Sequence, residues 1–145
     1  MRTPLYNLHR ALGAKFINFA GWDMPAFYSS VKDEELAVRN SCGVFDVSHM
    51  GRLILEGKGA AECLEYLTTN SIRKLYPGKV QYNLLTNELG GVVDDITVYM
   101  LDEERFMLCV NAINTQKVKN WICKYYTVED ISNRTIQIAV QGKAS

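Results

Sequence analysis

The sequence predicts an α+β fold: a ferredoxin-like split βαβ antiparallel sheet with flanking helices, joined to an incomplete N-terminal part of a larger domain. Three observations carry this reading. Between residues 51 and 134 the hydrophobic period switches between 2 and 3.6 in the order β-α-β-β-β-α-β, one strand more than the simple motif. Two stripes have helical spacing, Ala60, Cys63, Leu64 and Leu67, then Val118, Trp121, Ile122 and Tyr125. Between them, Ile96, Val98 and Met100 alternate with Asp95, Thr97, Tyr99 and Leu101, as on the two faces of one strand.

Each element has a local cause. Thr3-Pro4 reads as an N-cap followed by proline at the first helical position, with Leu5, Leu8 and Leu12 along one face and Gly13 as the stop. Residues 16 to 28 read as extended, interrupted at Gly21 and Pro25. Ser30 caps a helix whose first turn carries Asp33, Glu34 and Glu35, favourable beside the positive end of the helix dipole. That helix stops near Cys42-Gly43, and residues 44 to 47 read as a strand. Arg52 to Leu55 form the next strand, ended by Gly57, and Pro77-Gly78 turns the chain into the alternating Val80, Tyr82 and Leu84. Asn87 to Gly91 lead into the carboxylate strand. Asp102-Glu103-Glu104 turn into Phe106 to Val110, and a short strand follows around Val128 to Ile131. The last segment, Thr135 to Val140, alternates like a strand for which the sequence identifies no partner, and so reads as part of something longer. The expected divisions are 1–50, an incomplete first part; 51–134, the ferredoxin-like domain; and 135–145, a returning strand.

Bulk properties exclude several classes of function. Sixteen basic residues balance sixteen acidic ones, with no long block of one sign, which argues against a broad nucleic-acid face. No apolar run approaches a membrane span, and Met1-Arg2-Thr3-Pro4 leads into structure without a secretory apolar region. The expectation is a soluble cytoplasmic protein with no membrane partner. Cys42, Cys63, Cys109 and Cys123 lack paired spacing and read as reduced thiols. With only His9 and His49 besides, no metal site is expected.

The run from Gly90 to Tyr99 is the most informative stretch. A strand that buries Ile, Val and Met on one side ordinarily faces water with Lys, Glu or Thr. Here the second face carries a carboxylate, a hydroxyl and a phenol in a row, a plausible lining for a semi-polar pocket, with Asp95 as the residue that carries chemistry. The alternative is that Asp94 and Asp95 simply end a hairpin, as Gly and Asp commonly do. Period-2 geometry points Asp94 to the opposite face, in a structural role. The glycine pair lacks the spacing of a phosphate loop. His49 reads as a hydrogen-bonded structural residue rather than a general base, and Asp46 and Trp22 as supports of loop geometry and packing.

Separated motifs then connect the chain to a family. Arg2-Thr3-Pro4-Leu5-Tyr6, Phe19-Ala20-Gly21-Trp22-Asp23-Met24-Pro25, Val44-Phe45-Asp46-Val47-Ser48-His49-Met50-Gly51, Thr68-Thr69-Asn70, Asn87-Glu88-Leu89-Gly90-Gly91 with the aspartate pair, and Val110-Asn111-Ala112 occur in order. Together they resemble the glycine cleavage system T-protein, a tetrahydrofolate-dependent aminomethyltransferase, in its N-terminal portion. One departure is Lys143 of Gln141-Gly142-Lys143, where the family usually has proline. The resemblance implies three domains around a folate channel, of which this chain holds less than half. It implies transfer of the methylene carbon of an aminomethyl group from the lipoyl arm of a partner H-protein to tetrahydrofolate, with release of ammonia and no metal. By motif match Asp95 takes the catalytic place, handling protons or stabilising a cationic iminium-like species. Tyr99 either packs on the pterin or fills the sheet face. Asn111 either meets the pterin edge or caps the next helix, Met50 lies where a polarizable side chain can touch the ring, and Tyr82 is a weaker contact. The stretch alone is expected to be inactive. A non-catalytic folate-binding module of the same fold is the alternative, and an interaction domain with a merely solvated acidic face is a third.

Overall fold

The computed structural model describes all residues from 1 to 145. The chain divides into two compact units, one of Met1–His49 with Asn133–Ser145 and one of Met50–Ser132. In chain order the first unit contributes α1 (Tyr6–Ala11), β1 (Lys15–Phe19), β2 (Trp22–Phe27), α2 (Val31–Asn40) and β3 (Gly43–Asp46). The second holds β4 (Gly51–Glu56), α3 (Ala60–Leu67), β5 (Val80–Thr86), β6 (Val92–Asp102), β7 (Arg105–Val110), α4 (Thr115–Ile122) and β8 (Glu129–Asp130). The chain then returns to the first unit with β9 (Ile138–Gln141). No helix is long and apolar enough to cross a membrane.

Two ribbons make up the first unit. β1 and β2 form a hairpin closed by Ala20-Gly21, with φ of 49° and 83°, the paired positive values that a two-residue turn needs to match strand twist. Asn18 steadies it by accepting the Gly21 N–H. Pro25 does not break the strand as expected. It sits in β2 near the irregular register at Lys15 and Phe16, where a two-stranded ribbon tolerates a missing N–H. β3 pairs antiparallel with β9, so the terminal strand, which had no identifiable partner in the sequence, runs along Gly43–Asp46. Ser30 caps α2 as expected, its hydroxyl oxygen accepting from the Asp33 N–H.

The start of the chain departs from expectation. Thr3 does not cap a helix; its hydroxyl donates to Asp46 at 2.7 Å and its carbonyl accepts from Tyr6, so α1 begins only at Tyr6. Leu8 and Leu12 are exposed, and the residue that α1 buries is His9. In so short a helix one buried hydrogen-bonded side chain decides which face turns inward. Met24 is the only apolar side chain that this unit buries, beside the polar Thr3, His9 and Ser48.

The second unit is organised differently. Its sheet runs β5-β6-β7-β4-β8, antiparallel throughout. The connection β7-α4-β8 leaves β4 between its two strands, the split βαβ of the sequence prediction, and β5 is the additional edge strand. One sheet face carries Leu53, Leu55, Leu85, Ile96, Val98, Phe106, Leu108 and Val110, packed against Ala60, Leu64 and Leu67 of α3 and Val118 and Ile122 of α4. Register makes this core continuous: Leu53 lies opposite Leu108, Leu55 opposite Phe106, and Val98 opposite Leu108. Gly51 has no room for a side chain, since a Cβ there would stand 2.5 Å from the Thr115 hydroxyl.

Candidate functional site

The same pleat that buries Ile96 and Val98 turns Asp95, Thr97 and Tyr99 to the other face of β6. Cross-strand register sets their neighbours: Leu84 opposite Asp95, Tyr82 and Cys109 flanking Thr97, and Val80 and Met107 flanking Tyr99. Asn111 follows β7 directly. Its side-chain nitrogen donates to Asp95 Oδ1 at 2.8 Å, and the Tyr82 hydroxyl donates to Asp95 Oδ2 at 3.3 Å. Three of the five residues singled out in the sequence, Asp95, Asn111 and Tyr82, therefore form one hydrogen-bonded group.

Asp95 itself is exposed, and Tyr82 is 59% exposed. Desolvation first, then the Asp95 charge and the hydrogen bond to it, push the Tyr82 phenol above its usual range, so it stays a proton donor to the carboxylate. Tyr99 stands two pleats further on, half-buried, its phenol raised chiefly by desolvation. It shares the face without a hydrogen bond to Asp95. Met50 is not part of the bonded group either; its carbonyl accepts from Arg52 Nη1 at 2.7 Å. The Gly51–Val110 pairing, continued by one residue, places Met50 opposite Asn111.

Asp94 does something else. It is 4% exposed and accepts the Asn111 N–H at 3.0 Å, the Asn111 side-chain nitrogen at 3.0 Å and the Asn114 side-chain nitrogen at 2.6 Å. A buried carboxylate survives when donors replace its water, and these are the donors. Asn111 does not cap the following 3₁₀ turn, Ala112–Asn114, through its side chain. Its amide hydrogens go to the two aspartates, and Oδ1 accepts no bond from the chain.

Some residues here carried no readable signal. Asn114 stands three residues beyond Asn111, a spacing that a 3₁₀ turn stacks on one side, but nothing local marks both as serving one aspartate. Arg52, 2% exposed and opposite Cys109, donates to Ser132 O and to Met50 O. Asn83, 1% exposed, accepts the Asn70 N–H at 2.7 Å and so clips the Thr68–Asn70 segment to the strand that carries Tyr82.

In the first unit a second polar cluster joins distant positions. His9 bonds Asp46 Oδ2 through Nε2 at 2.8 Å and the Tyr28 hydroxyl through Nδ1 at 2.7 Å. Burial pushes the Asp46 carboxyl up, but hydrogen bonds from Ser48, Thr3 and His9 outweigh it and hold the group below its usual value. His49 packs edge-on against Phe19 at 5.6 Å. A cavity of about 1060 Å³ along Tyr28, Val31, Glu34, Val38 and Phe45 contains none of the five site residues. No group of three or more His, Cys, Asp or Glu side chains is arranged to hold a metal ion.

The sequence and the fold have counterparts among known proteins. Residues 5–145 match the family model described as the GCVT N-terminal domain. An aminomethyltransferase of Aquifex aeolicus is 56% identical over 145 residues, covering 100% of this chain and 41% of that protein. One of Thermotoga neapolitana is 46% identical over 149 residues, covering 99% and 41%. The crystal structure of glycine cleavage system aminomethyltransferase T from Bartonella henselae superposes with a TM-score of 0.87 at 36% identity, over 99% of this chain and 41% of that one. The chain thus spans about two fifths of the length of the relatives it matches.

Proposed function

The chain belongs to the GCVT N-terminal domain family, and from that premise we propose that it supplies the catalytic aspartate and part of the folate face of an aminomethyltransferase. In this reading the complete protein takes an aminomethyl group from the lipoyl arm of an H-protein and passes its carbon to tetrahydrofolate, releasing ammonia in the cytoplasm. The two units, with the second carrying every candidate site residue, are the parts of the larger folate-binding protein present here. The stretch alone is inactive, because the rest of the channel lies in the remaining length of its relatives.

The observation that carries this reading is the hydrogen-bonded group of Asp95, Asn111 and Tyr82 on an otherwise semi-polar sheet face. A carboxylate with one oxygen held by an amide and the other loosely by a phenol is oriented yet open to a ligand. It can take a proton from a bound amine or stabilise a cation beside it. Asp95 Oδ2, with only the longer bond from Tyr82, is the acceptor left for a ligand. That suits the N–H-rich edge of a reduced pterin, with Tyr82 and Tyr99 offering aromatic surface and Met50 a polarizable one. Tetrahydrofolate is the co-substrate, and no step needs a metal.

Two measurements test this. Titration of the 145-residue chain with tetrahydrofolate, followed by NMR shifts of Asp95, Tyr82, Tyr99 and Asn111, separates a folate face from a bare surface; absence of shifts there removes the reading. In a polypeptide completed to the length of its relatives, Asp95→Ala should lower turnover by on the order of 10² to 10⁴, the span of one general acid–base group. Turnover unchanged by Asp95→Ala would overturn the catalytic role of Asp95, and folate binding without turnover in the unaltered completed polypeptide would leave only the non-catalytic binding module.

A further inference from the structure

We infer that Asn111 is a positioning residue that acts through Asp95 and determines which oxygen of that carboxylate meets the ligand. The inference rests on the reading of Asp95 given above and deepens it.

An aspartate on an exposed strand face ordinarily samples several rotamers, because water solvates its carboxylate in each. Here the Asn111 nitrogen reaches Asp95 Oδ1 at 2.8 Å, the Asp95 carbonyl at 3.2 Å and Asp94 Oδ1 at 3.0 Å. Two amide hydrogens serve three acceptors, all on the aspartate pair, so none is left for a ligand. Asn111 cannot wander, because its backbone N–H is tied to Asp94 Oδ2 at 3.0 Å. Asp94 is in turn buried and held by Asn114 at 2.6 Å.

The buried carboxylate is thus the anchor, the asparagine the link and the exposed carboxylate the group presented. Asp95 Oδ1 faces the amide, whereas Oδ2 has only the longer bond from Tyr82 at 3.3 Å. Oδ2 is the working oxygen. Glutamine at position 111 is one methylene too long for this link, and aspartate would add a third negative charge with no donor.

The test has two arms, the first independent of any folate. Three-bond couplings across the Asp95 Cα–Cβ bond in the 145-residue chain should report one rotamer. Asn111→Ala should average them, whereas Asn114→Ala, which touches only the Asp94 anchor, should leave them in place. Averaged couplings in the unaltered chain, or fixed couplings in Asn111→Ala, overturn the inference. Should Asn111→Ala not fold, Asn111→Ser, too short to reach Asp95, takes its place.

The second arm is a double-mutant cycle on tetrahydrofolate affinity. Asn111→Ala should weaken binding on the order of tenfold when Asp95 is present, one charge-assisted hydrogen bond's worth, and leave it unchanged in an Asp95→Ala background. An equal loss in both backgrounds means that Asn111 touches the ligand directly, and the positioning role falls. If the unaltered chain binds no tetrahydrofolate, the functional reading fails in this chain while the couplings still decide the role of Asn111.

Discussion

Asp94 and Asp95 are adjacent and chemically identical, yet their substitution should have opposite consequences. Asp94→Ala removes an acceptor from three donors: the Asn111 N–H, the Asn111 amide and the Asn114 amide. At about 1.5–3 kcal/mol for each bond to a charged group the simple sum is large, but most of it does not apply. The Asn111 amide keeps its Asp95 acceptors, Asn114 is only half-buried and can turn to water, and deleting a buried carboxylate recovers its desolvation cost. What remains is one stranded backbone N–H and a loosened turn, about 2–4 kcal/mol. Asp95→Ala, at an exposed position, should cost less than about 1 kcal/mol. The assay is urea unfolding in a Trp22→Phe background, so that Trp121, packed on the core of the second unit, is the reporter. With a slope of about 2 kcal/mol/M, Asp94→Ala should lower the midpoint by roughly 1–2 M without changing the slope. Equal midpoint shifts for the two substitutions would refute the division of labour between the pair.

Two further outcomes follow from the charge states. Asp46 is held below the usual carboxylate value, so its contribution to stability is complete above about pH 4 and is lost as pH falls through its lower folded value. Melting of the first unit, read from Trp22, should therefore drop steeply toward pH 3 in the unaltered chain, and Asp46→Asn should start less stable and flatten that limb; parallel curves would contradict it. Burial pushes the Cys63 thiol up to about 11 and Cys109 is buried, whereas Cys123 is exposed. At pH 8 a thiol reagent should modify Cys123 first and leave Cys63 and Cys109 until the chain is unfolded, with mass mapping of the labelled peptides as the check.

The second unit was legible because each of its elements carries its own pattern. The Ile96-Val98 alternation fixes one face of β6, and a two-residue period leaves no freedom about where Asp95 then points. The stripes of α3 and α4 likewise name the residues they bury, Leu64, Leu67, Val118 and Ile122. The spacing places Tyr125 on the second stripe, but it lies beyond Ile122, where α4 ends, and its hydroxyl goes to Glu88 instead. The first unit resisted the same treatment because its burial is polar. His9, Tyr28 and Asp46 come from α1, the segment after β2 and β3, and nothing in the few residues around any of them announces the other two. The leucine stripe on α1 yields to one long-range bond, since His9 and Asp46 can satisfy each other only if the His9 face turns inward.

The candidate site shows the same limit on a finer scale. Strand periodicity separates Asp94 from Asp95 by face, and register explains why Tyr82 is near. Periodicity says nothing about Asn111, which lies just past the end of β7. Its placement depends on β6 and β7 pairing with Thr97 opposite Cys109, since that register, continued by two residues, sets Asn111 opposite Asp95. A slip of one residue between β6 and β7 would turn Asn111 to the core face and sever the link while leaving every local pattern intact. The orientation of Asp95 is therefore a property of strand pairing, secured by the apolar rows on the far side of the sheet. Leu108 opposite both Leu53 and Val98 locks the register that the carboxylate needs. Core packing and presentation of the aspartate are two consequences of one alignment.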